Sequence, residues 1–192
     1  MSEKQRIVLA SGNQHKIREI GQMLPEFEVV GYKELGFTEE IVEDGKTFYE
    51  NALIKAKTVA EKLNLPALAD DSGICVEALN GEPGIYSARY AGDGIDKHNN
   101  ELLLKNMQGV ENRKAKFVCC MVFYKLNGEI ITATGETLGE IMHEEHGENG
   151  FGYDPLFYSY DLKQCLGIAS SEDKNKISHR FRAIEALKDK LK

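Results

Sequence analysis

Hydrophobic and polar positions alternate along the chain with two different periods, which predicts an α/β protein. Apolar runs of strand length occupy residues 6–10 and 27–32, and polar residues bound each of them. Between residues 48 and 63 the apolar residues instead recur at helical spacing, and Thr47 and Glu50 stand where a capping box would begin a helix. We therefore predict two strands, followed by a helix that Thr47 caps.

The second half of the chain predicts a hairpin and two further helices. Strand-like runs at residues 114–126 and 129–137 are joined by Asn127-Gly128, which is a strong hairpin signal. Residues 178–192 have helical spacing, and Asp96 is a candidate cap for a helix that runs to Met107. Hairpins and strand–helix alternation together predict an α/β (mixed α+β) fold with a mixed sheet. At 192 residues, we expect one domain, 1–192, or two closely joined lobes.

The stretch PALADDSG, residues 66–73, places two adjacent carboxylates, Asp70 and Asp71, directly after an apolar run. Burying neighbouring like charges is unfavourable unless a cation or hydrogen-bond donors compensate them. Asp, Ser and Gly are also ordinary turn residues, so a solvated turn is the simplest interpretation of these residues alone. The alternative is that the apolar run delivers a pair of carboxylates to a functional site.

The composition limits the classes of protein to consider. Hydrophobic residues make up 42% of the chain, and the net charge of −7 argues against non-specific nucleic-acid binding. No apolar run approaches the ~18 residues of a membrane span, so we expect no membrane partner. The four cysteines form no CxxC pair, which favours free thiols in a reduced, cytoplasmic protein.

Three further segments have the composition of ligand-binding loops. SGNQHK, residues 11–16, follows a strand and opens a helix, where backbone N–H groups and a lysine favour an anion, although many such turns are only capped by Ser or Asn. GENGFGYDPLF, residues 147–157, offers aromatic rings and an acceptor, and a tight turn packed by its own aromatics is the alternative. KNKISHR, residues 174–180, is expected to place Lys, His and Arg near a helix start, where cations oppose the helix dipole.

An apparent metal motif at residues 143–146, HEEH, is interpreted as a surface charge run because its histidines are three residues apart rather than four. The other segments combine an anion site, a doubled carboxylate, an aromatic loop and a basic cluster. Mg²⁺ is the natural partner of carboxylates together with phosphate oxygens. These residues therefore indicate a Mg²⁺-dependent enzyme that acts on the phosphates of a nucleotide.

The same segments, with FYENALIKA and LADDSGICVEALNGEPGIYSARYAG, resemble the inosine triphosphate pyrophosphatase family of non-canonical purine nucleoside triphosphate pyrophosphatases. The matching blocks follow one another along nearly the whole chain. The resemblance implies hydrolysis of ITP, dITP and XTP to the monophosphate and pyrophosphate, which clears deaminated purines from the nucleotide pool. It also implies a Mg²⁺ requirement, a homodimer, and an elongated mixed sheet flanked by helices, with the active-site cleft between two lobes.

The resemblance also implies a role for each motif residue. Asp71 is expected to be the proton acceptor and a magnesium ligand, with Glu43 as second metal contact and Asp70 as a helper. Lys55 is expected to contact phosphate, and Ser72 to touch substrate. The triphosphate would be held by Ser11, Gly12, Asn13, Gln14, His15 and Lys16. The base would be surrounded by Phe151, Gly152, Tyr153, Asp154, Lys174, His179 and Arg180.

Two positions depart from the family pattern. Asn149 stands where another glycine is common, and Phe181 stands where a smaller residue is common; both are expected at the pocket rim.

Two alternative functions belong to other classes of protein. A haloacid-dehalogenase-type phosphatase also uses aspartates after a strand, but it needs a DxD spacing, whereas Asp70 and Asp71 are adjacent. A non-enzymatic nucleotide sensor would keep the base pocket and the lysines without needing Asp71 together with Glu43.

Overall fold

The structure is a computed structural model that describes residues 3–191. The strands are β1 (Gln5–Leu9), β2 (Phe27–Gly31), β3 (Ala67–Val76), β4 (Lys114–Tyr124), β5 (Ile130–Ile141), β6 (Phe157–Ser159) and β7 (Gln164–Cys165). The α-helices are α1 (Gln14–Met23), α2 (Phe48–Leu63), α3 (Asp96–Asn106), α4 (Ser171–Ile177) and α5 (His179–Leu191). Short 3₁₀ turns lie at Tyr32–Leu35, Glu77–Leu79, Gly84–Arg89 and Asp154–Leu156.

The strands form one seven-stranded sheet in the order β2-β1-β3-β4-β5-β6-β7, and helices flank it. β1 pairs in parallel with both β2 and β3, which requires crossover connections, and α1 and α2 lie in them. β6 pairs antiparallel with β5 and β7. The predicted mixed α/β fold is therefore confirmed.

The chain forms two compact units, and each has its own hydrophobic core. The first unit contains the chain up to Asp71, Cys120–Thr134 and the chain from Ala183 onward; the second contains Ser72–Cys119 and Gly135–Arg182. The core of the first unit includes Val8, Phe37, Ala52, Ala56, Val59, Ala69 and Val122. That of the second includes Ile74, Leu103, Phe117, Ile141, Tyr153, Leu156 and Phe157. Strand β3 crosses from the first unit to the second at the peptide bond between Asp71 and Ser72.

Helix α2 begins as the sequence predicts. The side-chain hydroxyl of Thr47 accepts a hydrogen bond from the backbone N–H of Glu50 at 3.1 Å. The carboxylate of Glu50 reaches back one residue further than in a standard capping box, because it accepts from the N–H of Lys46 at 2.6 Å. The helix ends at Leu63, and the residue that caps it, Asn64, has a left-handed φ of 52°. This helix presents Lys55 to the site described below.

The sequence PALADDSG does not form a turn. Strand β3 runs without interruption from Ala67 to Val76, so the solvated-turn interpretation is wrong. Successive side chains of a strand point to opposite faces, so Asp70 and Asp71 have different surroundings despite being neighbours. The two carboxylates therefore lie within the sheet, and each needs its own compensating partner.

Two local predictions about helix starts need correction. The prediction that Asp96 caps a helix is wrong, and the prediction of cations near a helix start is confirmed for His179 and Arg180, which begin α5, but is wrong for Lys174. Asp96 is the first residue of α3 rather than its cap; the cap position is Ile95, and the carboxylate of Asp96 accepts from the N–H of Gly152 instead. Lys174 lies in the last turn of α4, where its charge is favourable to the helix dipole. Ser178 separates α4 from α5, and its hydroxyl accepts from the N–H of Phe181 at 3.1 Å.

The hairpin and the last helix follow the sequence predictions. β4 and β5 are joined through Asn127-Gly128, where Gly128 has a φ of 86° that favours glycine. The prediction of a helix over 178–192 corresponds to α5, and its last position, residue 192, lies outside the described residues. Across residues 3–191 no helix is both long enough and apolar enough to cross a membrane.

Candidate active site

Asp70 and Lys16 form a buried ion pair in the first unit. The Nζ atom of Lys16 lies 2.9 and 3.2 Å from the two carboxylate oxygens of Asp70, whose side chain is only 4% exposed. A carboxylate this buried needs such a partner, because desolvation disfavours its charge. Lys16 is placed by α1, whose first turn follows β1. The lysine predicted to bind phosphate thus contacts the aspartate predicted to help bind metal.

Asp71 is half-buried and only partly compensated. Burial raises the pKa of Asp71 to about 6, and the charge of Lys55 and a hydrogen bond from Asn51 offset only part of that effect. The second carboxylate oxygen, Oδ2, is buried and has no hydrogen-bond partner. Such a group is costly for folding alone. A carboxylate with a raised pKa of about 6 and an unpartnered oxygen has the properties of a group that can accept a proton or a cation.

Lys55 links the acidic loop to β3. Its Nζ atom lies 2.9 Å from a carboxylate oxygen of Glu43 and donates to the backbone carbonyl of Asp70 at 2.6 Å. Burial lowers the pKa of Lys55, but the neighbouring charges of Asp70 and Glu43 outweigh it, so the pKa is raised. Lys55 is therefore a permanent cation beside Asp71.

The segment Ser11–Lys16 is organised mainly by its own cap. The side-chain oxygen of Asn13 accepts from the N–H groups of His15 and Lys16, and the hydroxyl of Ser11 accepts from the N–H of Asn13. An anion that used those N–H groups would have to displace the cap. A Cβ atom added at Gly12 would lie 2.8 Å from the side chain of Lys33, so a second lysine passes closely over this segment.

The second unit contains a pocket of about 180 Å³ around the predicted base-binding residues. Every residue predicted to surround the base lines it, together with Ser72 at the start of the second half of β3. Phe151 is 66% exposed and can offer its ring to a ligand. Tyr153 is buried in the core, and its hydroxyl donates to the carbonyl of Ser87 at 2.6 Å, so it forms part of the pocket's support.

Asp154 holds the loop that carries Phe151 in place. Its buried carboxylate pairs with Lys174 and accepts from the N–H of Phe151 at 3.0 Å. Gly150 has a φ of 75°, and a Cβ atom there would lie 2.1 Å from the carboxylate of Asp154. The loop therefore requires glycine both for its backbone conformation and for this close approach. Lys174 also lies over the ring of Phe151, 4.4 Å from its centroid.

His179 and Arg180 begin α5 at the wall of the pocket. The imidazole of His179 stacks on Phe117, with a centroid separation of 5.1 Å and an interplanar angle of 14°. This stacking fixes the plane of the His179 ring at the wall of the pocket. A larger concavity of about 970 Å³ also lies in the second unit, but none of the predicted site residues lines it.

Comparison with known proteins assigns the family. The family model described as the Ham1 family matches residues 7–190 of the chain. The chain belongs to the Ham1 family. It is 49% identical to a "dITP/XTP pyrophosphatase" of Haemophilus influenzae, covering 98% of this chain and 100% of that protein, and 44% identical to one of Clostridium perfringens, covering 97% of each. The solved Ham1 protein of Staphylococcus aureus superimposes with a TM-score of 0.93, at 44% identity over 97% of this chain and 98% of that one.

The sequence did not predict three residues that adjoin the candidate site, Asn51, Lys33 and Ser87. Asn51 is 2% exposed and connects the hydrogen bond to Asp71 with one from the N–H of Gly45 at 2.9 Å. Its signal was present, since it precedes Lys55 by four residues on the same helix face. Lys33 and Ser87 carried no such signal, because each is brought to the site from another part of the chain.

Of the two departures from the family pattern, the structure explains Asn149. The side-chain amide of Asn149 donates to the carbonyls of Ile168 and Ala169, both at 3.2 Å, so it closes the loop rather than facing the pocket. Phe181 is half-buried and lies one residue beyond Arg180 in α5. The HEEH segment at 143–146 is largely exposed, which agrees with a surface charge run.

We expect Asp70→Asn and Asp71→Asn to change stability in opposite directions in metal-free buffer. Asp71 has a folded-state pKa of about 6 against an ordinary value of 3.8, so its ionisation disfavours folding. That penalty is absent below about pH 4, develops as pH rises to 6 and then stays constant, so Asp71→Asn should be the more stable protein above pH 6. Asp70→Asn leaves Lys16 without its counter-charge and should cost about 1–3 kcal/mol.

Urea denaturation of both variants and the unsubstituted protein in EDTA, from pH 4 to pH 8, measures these differences. Shifts of the same sign for the two variants at pH 7 would contradict the assignment of different partners to the two carboxylates.

Proposed function

We propose that this chain hydrolyses the triphosphates of non-canonical purines, dITP, ITP and XTP, to the nucleoside monophosphate and pyrophosphate. The observation that carries the proposal lies along β3. Asp71 has one unpartnered oxygen beside a permanent cation, and the next residue, Ser72, lines a pocket of aromatic and cationic side chains. The curated relatives named dITP/XTP pyrophosphatase support the same reaction.

The lysines of the first unit supply charge for the triphosphate. A triphosphate carries about four negative charges at neutral pH, and these must be offset before a water molecule can attack. Lys16, which pairs with Asp70 in this structure, can exchange that carboxylate for a phosphate oxygen. Lys55 stays protonated, and Lys33 adds a third cation over Gly12.

Asp71 is the base in this proposal. The attacking water loses its proton to the free Oδ2 atom, and its oxygen forms a bond to the α-phosphorus. The bond from that phosphorus to the bridging oxygen breaks, and pyrophosphate leaves. A carboxylate with a pKa near 6 is ionised at pH 7 yet still basic enough to accept a proton. Asn51 holds the other side of the carboxylate and so orients Oδ2.

We propose a divalent cation, Mg²⁺, as cofactor, with Asp71 and Glu43 as ligands and Asp70 as a helper. The donor set fits: Mg²⁺ uses one or two carboxylates plus substrate phosphates, and the carboxylates of Asp71 and Glu43 both lie beside Lys55. Among the described residues, no group of three or more His, Cys, Asp or Glu forms a metal cage, which this mode of binding does not need. When bound, the cation would neutralise phosphate charge and favour the ionised form of Asp71.

The base would be recognised in the second unit. Hypoxanthine and xanthine carry a 6-oxo group where adenine has an amine, so donors from His179 and Arg180 favour the carbonyl. Guanine shares the 6-oxo group, so its rejection depends on its 2-amino group, which needs an acceptor or clashes. Phe151 provides a ring face for stacking.

The remaining parts of the proposal come from the family resemblance and the composition. We propose a homodimer that works in the cytoplasm and does not bind nucleic acid. The four free cysteines are compatible with a reducing compartment, and the net charge of −7 disfavours a nucleic-acid partner.

The identity of the product distinguishes this reaction from a phosphatase reaction and from nucleotide binding without hydrolysis. With ITP and Mg²⁺, we expect one pyrophosphate per monophosphate and no free orthophosphate. Direct detection of both anions, without an auxiliary pyrophosphatase, makes the measurement, and Asp71→Asn from the same purification controls for contaminating enzymes. Orthophosphate as the product would indicate a phosphatase, and ITP recovered intact after prolonged incubation would indicate a sensor.

A further inference from the structure

The loop that carries Phe151 is held by the first turns of α3. The carboxylate of Asp96 accepts a hydrogen bond from the N–H of Gly152 at 2.8 Å. The side-chain amide of Asn100 donates to the carbonyl of the same residue at 3.1 Å, and also to Glu145 at 3.0 Å. Both polar groups of the Gly152 backbone are therefore bound by one helix.

The spacing of Asp96 and Asn100 lets one face of α3 bind both polar groups of the Gly152 backbone. Asp96 and Asn100 are four residues apart in α3, so they share one helix face. Gly152 has a φ of 59°, and a Cβ atom there would meet nothing within 4 Å, so conformation rather than space requires glycine. The N–H and the carbonyl of Gly152 belong to the two peptide planes on either side of its Cα atom. Hydrogen bonds to both groups therefore restrain the φ and ψ angles of Gly152.

Phe151 needs this support because few contacts hold its own side chain in place. The ring is 66% exposed and has Lys174 against one face, while its backbone N–H is held by Asp154. Without a restraint at Gly152, the most flexible residue type would adjoin the aromatic ring offered to the base. Ordering such a loop at the moment of binding reduces affinity.

We propose that Asp96 and Asn100 are positioning residues that preorganise Phe151 for base binding. The inference rests on the proposed function for its kinetic consequence, although the restraint itself is a property of the ligand-free protein. The two residues act through Gly152 on substrate affinity. Because they act on the pocket of the second unit and not on Asp71, they affect KM rather than kcat.

The test compares Asp96→Ala with Asp96→Asn, which keeps an acceptor oxygen at the same place. A lost charge-assisted hydrogen bond should raise KM for ITP roughly tenfold, with kcat within about twofold. Asp96→Asn should return KM to within about threefold of the unsubstituted value. Hydrogen exchange of the Gly152 amide, followed by NMR without nucleotide, should become roughly tenfold faster in Asp96→Ala.

Asp93→Ala is the matched control. Asp93 lies just before the same helix, where its carboxylate accepts from the N–H of Ile95 and pairs with His98, and Gly152 is bonded to Asp96 instead. An unchanged Gly152 exchange rate in Asp96→Ala, or an equal rise in KM for Asp93→Ala, would overturn the proposal. If the unsubstituted protein leaves ITP intact, the proposed function fails, and the exchange comparison still decides whether the restraint exists.

Discussion

The Asp71→Asn variant should lose kcat by a factor of ~10²–10⁴, which is the usual range for removal of a positioned general base. Asparagine nearly preserves the volume and can keep the contact with Asn51, but it removes the oxygen that accepts the proton. The fold should persist, since the substitution also removes a carboxylate whose burial raises its pKa to about 6. Steady-state kinetics with ITP, together with a circular dichroism melt, make the measurement.

Raised Mg²⁺ should not restore Asp71→Asn, because a missing base differs from a weakened cation site. Asp70→Asn is the neighbouring comparison: it should lose less kcat, and raised Mg²⁺ should partly restore it. If Asp71→Asn kept its activity per folded molecule while Asp70→Asn lost it, the roles of the two carboxylates would have to be exchanged.

Local sequence signals predicted most of the fold because the determining interactions are local. The Thr47 cap, the apolar spacing of α2 and the Asn127-Gly128 turn each act within a few residues. Strand β3 was ambiguous for the opposite reason. Residues 70–73 have turn composition, and the ion pair with Lys16, 54 positions earlier, helps to make a buried Asp70 tolerable in a strand. Sequence spacing carries no signal for a partner that distant.

The membership of the candidate site was easier to predict than its internal arrangement. The family resemblance named His179, Arg180 and Lys174, and all three line one pocket. It did not indicate that Lys174 lies in the last turn of one helix while His179 starts the next, because Ser178 interrupts the helical spacing without a glycine or proline. Hydrogen bonds to backbone atoms, such as those of Gly152, cannot be predicted from the type of the residue that is bound, because the backbone groups are the same for almost every residue type.

The largest discrimination is expected between bases. Turnover efficiency, kcat/KM, should be higher for ITP, dITP and XTP than for ATP or GTP by a factor of ~10²–10⁵, since a pocket built to hydrogen-bond one group rejects an analogue that leaves it unpaired. ITP and dITP should behave alike, because no side chain is assigned to the 2′-hydroxyl. A panel of these nucleotides under identical Mg²⁺ measures the ratios, and equal efficiency for ATP and ITP would refute base recognition by this pocket.

The Arg180→Ala variant locates that discrimination within the pocket. If Arg180 donates to the 6-oxo group, its loss should lower kcat/KM for ITP far more than for ATP, so the ITP-to-ATP ratio should fall by roughly tenfold or more. Arg182→Ala is the matched control from the same helix: its guanidinium donates to the carbonyl of Glu136 and pairs with Asp161. It should leave the ratio unchanged. If Arg180→Ala lowered both efficiencies equally, Arg180 would act on the phosphates or on folding, and the 6-oxo group would have to be read by His179.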